Sequence, residues 1–261
     1  MHLPSFHKKF FYPFALLLCF AFQEQRLKAQ TLEIAGVEEI GIVYREIYQG
    51  GISVHTAGWG INYRRGKNAT GSSYRFLDFS VVNMRHPKEA KTFNPFFQNS
   101  NGYVYGKLNT LTVLRTGVGK LKELNSKGDK GGFAVAFSYF AGASFGLLKP
   151  VYLEIFNPDA GINNPDFRTE RYDPDKHFAD NIYGGAPFFR GINELSIRPG
   201  VYANFNLNFE FGKSQQKIRM IETGAGIDLF AAETPIMAFN RNNYVFLTFH
   251  LRFIFGKRWN K

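Results

Sequence analysis

Glu46, Ser53 and His55 are residue types that could perform acyl transfer, a serine activated by a histidine that a carboxylate orients. A two-residue turn at Gln49-Gly50 would place Glu46 opposite Ser53 and Tyr44 opposite His55, and a turn at Gly50-Gly51 would pair Glu46 with His55. Cross-strand partners share a face, so either register predicts that the three side chains project together. That face also carries Ile40, Ile42, Trp59 and Ile61, the setting a lipid esterase or deacylase at an outer leaflet would need. No oxyanion donor can be named from the sequence, and the competing reading is a polar hairpin tip.

Other constellations are weaker. Asp173, Asp175, His177, Asp180 and Asn181 offer oxygen and imidazole donors but lack calcium-loop spacing, so a solvated loop is expected and no metal is predicted. Gly117-Val-Gly119-Lys120 lacks the full phosphate-loop spacing, and Asn68-Ala-Thr70 would be a glycan acceptor only in a eukaryotic secreted chain. No cofactor is predicted.

The elements that must hold these residues read as β-strands. Residues 195–211 alternate strictly: Leu195, Ile197, Val201, Ala203, Phe205, Leu207, Phe209 and Phe211 oppose Ser196, Arg198, Tyr202, Asn204, Asn206, Asn208 and Glu210. Side chains alternate across a strand, so the segment is apolar on one face and polar on the other. Residues 133–147, 217–231 and 243–256 behave alike, and 51–65, 72–84 and 102–116 do so more weakly. The long periodic segments far exceed the globular mode of about 5–6 residues and suit a tilted membrane strand, which needs about 9–11. With a first strand at 38–48, the expected connections at one end are 49–50, 85–101, 148–193 and 232–242. Those at the other end are 66–71, 117–131 and 212–216, an asymmetry of long outer loops and shorter inner turns. The fold class expected is all-β, an antiparallel up-and-down transmembrane barrel of about eight strands, or ten if 148–193 hides a hairpin.

The polar faces carry Arg64, Asp78, Lys107, Arg115, Arg198, Glu210, Glu222, Asp228, His250 and Arg252. An eight-strand barrel is only wide enough to be filled by side chains, so these predict an internal ion-pair network, with a narrow channel or small-ligand transporter as the rival. The segment 148–193 also holds Phe156, Phe167, Phe178, Tyr183, Phe188 and Phe189, which predicts a cap over the barrel mouth or a surface that docks a partner.

Residues 1–29 read as an export signal: Lys8 and Lys9, an apolar run Phe10–Phe22, then Leu27-Lys28-Ala29. A short N-terminal anchor is the alternative. Residues 30–261 would be the barrel domain. Cys19, the one cysteine, would leave with the signal, and the formal charge would fall from +11 to +8 with the loss of four basic residues and one acidic one. For a basic exported chain, anionic lipid is the natural partner and nucleic acid is not.

The chain ends Phe253-Ile-Phe255-Gly-Lys-Arg-Trp259-Asn-Lys, an aromatic last strand with a short basic tail. In this ending and its alternation it resembles the small up-and-down outer-membrane barrels of Gram-negative bacteria, with Phe255 as the expected strand-terminal aromatic. The resemblance implies the outer membrane as location, outer-membrane lipids including lipopolysaccharide as partners, and a membrane anchor or scaffold whose outer loop meets a protein. A soluble lipocalin-like barrel or a β-sandwich would show the same alternation with the faces exchanged.

Overall fold

The computed structural model describes residues 44–95, 100–125, 133–157, 166–212 and 216–260. The expected export segment 1–29 and the first part of the expected first strand lie outside them. The strands are β1 (Glu46–His55), β2 (Gly58–Asn68), β3 (Ser73–Met84), the two-residue β4 (Lys91–Thr92) and β5 (Tyr103–Val104), and β6 (Asn109–Asn125). They continue with β7 (Ala134–Pro150), β8 (Tyr152–Asn157), β9 (Asp166–Arg171), β10 (Ile182–Gly185), β11 (Ser196–Phe211), β12 (Lys217–Thr234) and β13 (Asn243–Trp259).

Eight of these close into an antiparallel barrel in the order β1-β13-β12-β11-β7-β6-β3-β2, in which β13 pairs with β1 to remove both edges. Connections 56–57, 85–108, 151–195 and 235–242 lie at one end, and 69–72, 126–133 and 212–216 at the other. The first are called outer and the second inner.

The first strand departs from expectation. Gln49-Gly50-Gly51 is not a turn; β1 runs through it, and the hairpin turns at Thr56-Ala57. The residue that permits this turn is Gly58, whose φ of 147° favours glycine. Gly51 instead faces the lumen, where a Cβ would lie 2.6 Å from the Phe253 carbonyl and 2.9 Å from Asn62 Oδ1. Its glycine serves close packing inside the wall rather than reversal of the chain.

The fourth barrel strand also shifts, to 109–125 from the expected 102–116, which places Lys120 and Lys122 in β6 and leaves the inner connection short. Gly117 and Gly119 sit mid-strand rather than in a loop. At the far end β13 continues to Trp259, so Phe255 is not the last aromatic of the strand and Arg258 belongs to the wall.

The wall is inverted relative to a soluble protein. Phe205 is 57% exposed and Leu247 62%, while Arg64 and Glu222 on the inside are 1% and 0%. Apolar side chains project outward all round the barrel, among them Ile61, Phe79, Val118, Phe145, Leu229 and Phe253. A belt this large would be costly in water and is the polarity of a transmembrane barrel, not of the lipocalin-like alternative.

The described residues of 151–195 add no strand to the barrel. Their strands form a separate three-stranded sheet, β10-β8-β9, beyond the outer rim. Tyr103, Leu153, Ile155, Tyr172, Ile182 and Ala238 make a core there, drawn from three different outer connections.

Candidate functional site

Alternate residues of β3 show how the lumen is built. Tyr74 and Phe76 lie toward the inner end, Asp78 and Ser80 follow, and Val82 and Met84 lie toward the outer end; all six are buried. β6 repeats the order in reverse, with Leu111 and Val113, then Arg115, then Leu121. In β12 it is Ile218 and Met220, then Glu222 and Asp228, then Phe230. The lumen thus holds a charged layer between two apolar ones.

The charged layer centres on Arg64. Its Nε donates to Asp78 Oδ1 at 2.8 Å and its Nη1 to Glu222 Oε2 at 2.5 Å. Arg252 closes on the other oxygen of Glu222. Arg115 binds Asp228 in bidentate fashion at 2.9 and 2.5 Å. His250 Nε2 lies 2.9 Å from Asn206 Oδ1 and 3.8 Å from Glu222 Oε1. Bidentate arginine–carboxylate pairs are among the strongest charge-assisted hydrogen bonds, and dehydrated charges must be matched in this way. Toward the inner rim, Glu210 accepts from Arg258 at 2.9 and 2.5 Å.

Two members of the expected set stand elsewhere. Lys107 lies in an outer connection and donates to Glu89 at 2.5 Å. Arg198 shares the inward parity of β11 but sits at the outer rim, where its Nε donates to the Glu233 carbonyl at 3.2 Å. Sequence parity placed Lys107 in a strand that begins only at Asn109.

Other contributors were not singled out from the sequence. Tyr202 donates from its hydroxyl to Asp78 Oδ2 at 3.0 Å, reaching across the lumen. Room for it comes from Gly117 and Gly142, paired with each other in the wall; a Cβ on Gly117 would lie 2.7 Å from the Tyr202 hydroxyl. The Arg64 guanidinium lies 4.0 Å from the centre of the Phe140 ring. Tyr202 was visible as one polar residue among many, but Phe140 breaks the polar parity of its strand and Arg258 read as tail.

The expected acyl-transfer group is not assembled. Ser53 and His55 face inward, while Glu46 faces outward at the inner end of the same strand. Ser53 lies seven positions beyond Glu46, roughly 23 Å along an extended strand. The cause is the turn: with the chain reversing at Thr56-Ala57, Glu46 pairs with Lys67 and Trp259, and Ser53 with Gly60 and Arg252.

At the outer end the plug is built chiefly by the connection 235–242. Ile236 and Met237 enter the outer apolar layer beside Met84, Leu111, Leu148 and Phe230. The cap formed by 151–195 stands above it. Its Asp173–Asn181 turn uses several of its polar groups on itself, and His177 Nε2 lies 3.3 Å from Glu170 Oε2. His177 Nδ1 accepts from the Asp173 amide at 3.0 Å, and Asp173 Oδ1 accepts from the Asp175 amide at 3.1 Å. The Asp175 amide holds the Asp173 carboxyl below the usual carboxylate range, with Lys176 adding to the effect. Among the described residues no group of three acidic, histidine or cysteine side chains is arranged to hold a metal ion.

Between cap and rim lies a cleft of about 350 Å³ whose lining includes Arg85, Lys91, Lys107, Lys149 and Arg190, with Glu89 the one carboxylate. Phe188, at one side of the cleft, packs edge-on against Phe189, which is 78% exposed.

No protein-family model matches the chain, and no curated protein matches it. Among solved structures it is similar to Neisserial surface protein A, at 4% identity, covering 83% of this chain and 97% of that one with a TM-score of 0.40. It is also similar to the N-terminal β-barrel domain of Pseudomonas aeruginosa OprF, at 8% identity, covering 81% and 98% with a TM-score of 0.34. A third is Ail, the attachment invasion locus protein of Yersinia pestis, at 10% identity, covering 83% and 99% with a TM-score of 0.36. In this chain the closed sheet has eight strands.

Proposed function

We propose that the chain is a non-enzymatic outer-membrane barrel that anchors a folded surface cap and presents it to a partner. The observation that carries this reading is the filled lumen: a layer of arginine–carboxylate ion pairs closed at both ends by apolar side chains. Such a barrel is built to hold its place in a bilayer rather than to pass solutes. The apolar belt supports a membrane location, reached through export directed by residues 1–29, with the short turns toward the periplasm.

The presenting part is the cap. Its cleft bears five cations and one carboxylate, and Phe188, Phe189 and Phe239 stand exposed nearby on the outer side. Basic side chains beside exposed aromatics favour an acidic protein surface, and lipopolysaccharide phosphates are a second anionic partner within reach of the same rim.

Two measurements test the reading. Refolded full-length protein in a planar bilayer is expected to give no steady conductance; a stable open level would make it a channel. On intact cells, a photo-crosslinking residue in place of Phe189 is expected to yield a discrete protein adduct. If adducts form only with lipid, the partner is lipopolysaccharide and the protein-docking role is wrong.

A further inference from the structure

The outer wall of the barrel carries a groove near its inner end, across β13, β1 and β2. Its floor is Gly50, the outward-facing residue between Phe255 on β13 and Tyr63 on β2. A Cβ at Gly50 would find its nearest neighbour 3.9 Å away, so the absent side chain leaves open space between two aromatic walls. The resulting groove has a volume of about 760 Å³.

Two residues toward the inner end, the outward row reads Lys257, Tyr48, Arg65. The two cations flank Tyr48, roughly 10 Å apart at two strand spacings. Both are held by rings: Lys257 Nζ lies 3.9 Å from the Trp259 ring centre, and the Arg65 guanidinium 5.2 Å from that of Tyr48. Glu46 is the carboxylate lining the groove. It accepts from the Tyr48 hydroxyl at 2.9 Å and from Arg65 Nη2 at 3.3 Å, so Arg65 is shared and Lys257 is not held by it. Beyond Glu46, which stands opposite Lys67, the outward face turns basic, with Lys67, Arg75 and Lys120 directly opposite one another on β2, β3 and β6. Like charges directly opposite in a sheet destabilise it, and a bound anion would relieve them.

We infer that this groove is a binding site for an anionic phospholipid of the inner leaflet. An acyl chain lies over Gly50 between Tyr63 and Phe255, and the phosphate sits between Arg65 and Lys257. The order of groups matches the order of a lipid: apolar notch toward the middle of the wall, cations and Trp259 toward its inner edge. A basic side chain at a membrane surface attracts anionic lipid strongly enough to change affinity about fivefold. The inference rests on the membrane reading of the barrel.

The test is native mass spectrometry of the refolded full-length protein in detergent, titrated with phosphatidylglycerol or with phosphatidylcholine of the same acyl chains. A heat-dependent gel shift first establishes that each variant has folded; its absence in the parent protein would indict the barrel reading, not the site. Phosphatidylglycerol is expected to be retained over phosphatidylcholine by at least tenfold. R65Q/K257Q should remove that preference, and Gly50→Phe should weaken both lipids by obstructing the notch. K120Q/K122Q, which deletes the same charge on β6 away from the groove, should leave the preference intact. Equal retention of the two lipids, or equal loss in both double variants, would overturn the site in favour of unspecific attraction to a basic rim.

Discussion

The barrel and the cap are made by one chain with opposite polarity. In the barrel, Phe205, Leu247 and Phe253 are outside and Arg64, Glu222 and Asp228 are inside. In the cap, Leu153, Ile155, Tyr172 and Ile182 are inside, and every residue of β9, Asp166–Arg171, is exposed. Both halves obey the same rule, since apolar side chains go wherever water is absent. The change of sense therefore marks where the surrounding medium changes, between the outer ends of the barrel strands and the sheet β10-β8-β9.

The interior of the barrel is where this comparison can be broken most severely. Replacing Glu222 with Ala would leave Arg64 and Arg252 facing each other without the carboxylate they share. Removing one partner of a buried ion pair costs about 3–5 kcal/mol, and here Arg252 loses its carboxylate while Arg64 keeps only Asp78. The expected result is a large fall in the denaturant midpoint of the heat-dependent gel shift, while a cap residue such as Thr169→Ala leaves it unchanged. A barrel that tolerates E222A would mean the lumen is wet enough to solvate its charges, and the sealed-anchor reading would fail with it.

The two outer surfaces give a contrast of intermediate size. Leu251 stands near the middle of β13 and faces outward. A lysine there would sit at mid-bilayer and cost about 2–4 kcal/mol. Thr169→Lys on the exposed β9 should change stability by no more than about 0.5 kcal/mol. Folding into vesicles, followed by urea titration, measures both. Equal tolerance at the two positions would show that the apolar belt does not meet lipid.

How much of this was legible depended on periodicity. A period of two gives the faces of a strand directly, so Asn204, Asn206, Asn208 and Glu210 could be assigned to one side of 195–211 without any structure. The same parity, read along 74–84, also contains the three-layer lumen: two aromatics, two polar residues, two apolar ones. Alternation alone does not say which face is inside, and the closed sheet with its exposed phenylalanines supplies that. Strand ends were harder. Gln49-Gly50-Gly51 looks like a turn because glycine serves turns, but glycine also lets walls pack closely, and of Gly50, Gly51 and Gly58 only Gly58, at the hairpin turn, has a positive φ. That single ambiguity moved the first hairpin by seven residues, from 49–50 to 56–57, and assembled on paper a Glu46–Ser53–His55 group that the fold keeps apart. The pairing of Arg64 with Glu222, 158 residues away, follows from barrel closure and has no local signal.

The smallest expected effect lies in the cap and is electrostatic. The Asp173 carboxylate accepts the Asp175 amide and lies 3.4 Å from Lys176 Nζ, which holds its protonation below the usual value of 3.8. A carboxyl depressed in the folded state contributes stability above its unfolded pKa and loses it as pH falls through the folded one. The turn 173–181 should therefore exchange its amides faster, relative to intrinsic rates, only once pH drops below about 3.8. Asp173→Asn should remove that acid step while leaving exchange at neutral pH nearly unchanged, because the amide oxygen still accepts from Asp175. The barrel amides, shielded on one side by lipid and on the other by the packed lumen, should not follow. If the strands opened together with the turn on acidification, cap and barrel would be one cooperative unit, and the division drawn between them by polarity would not extend to their stability.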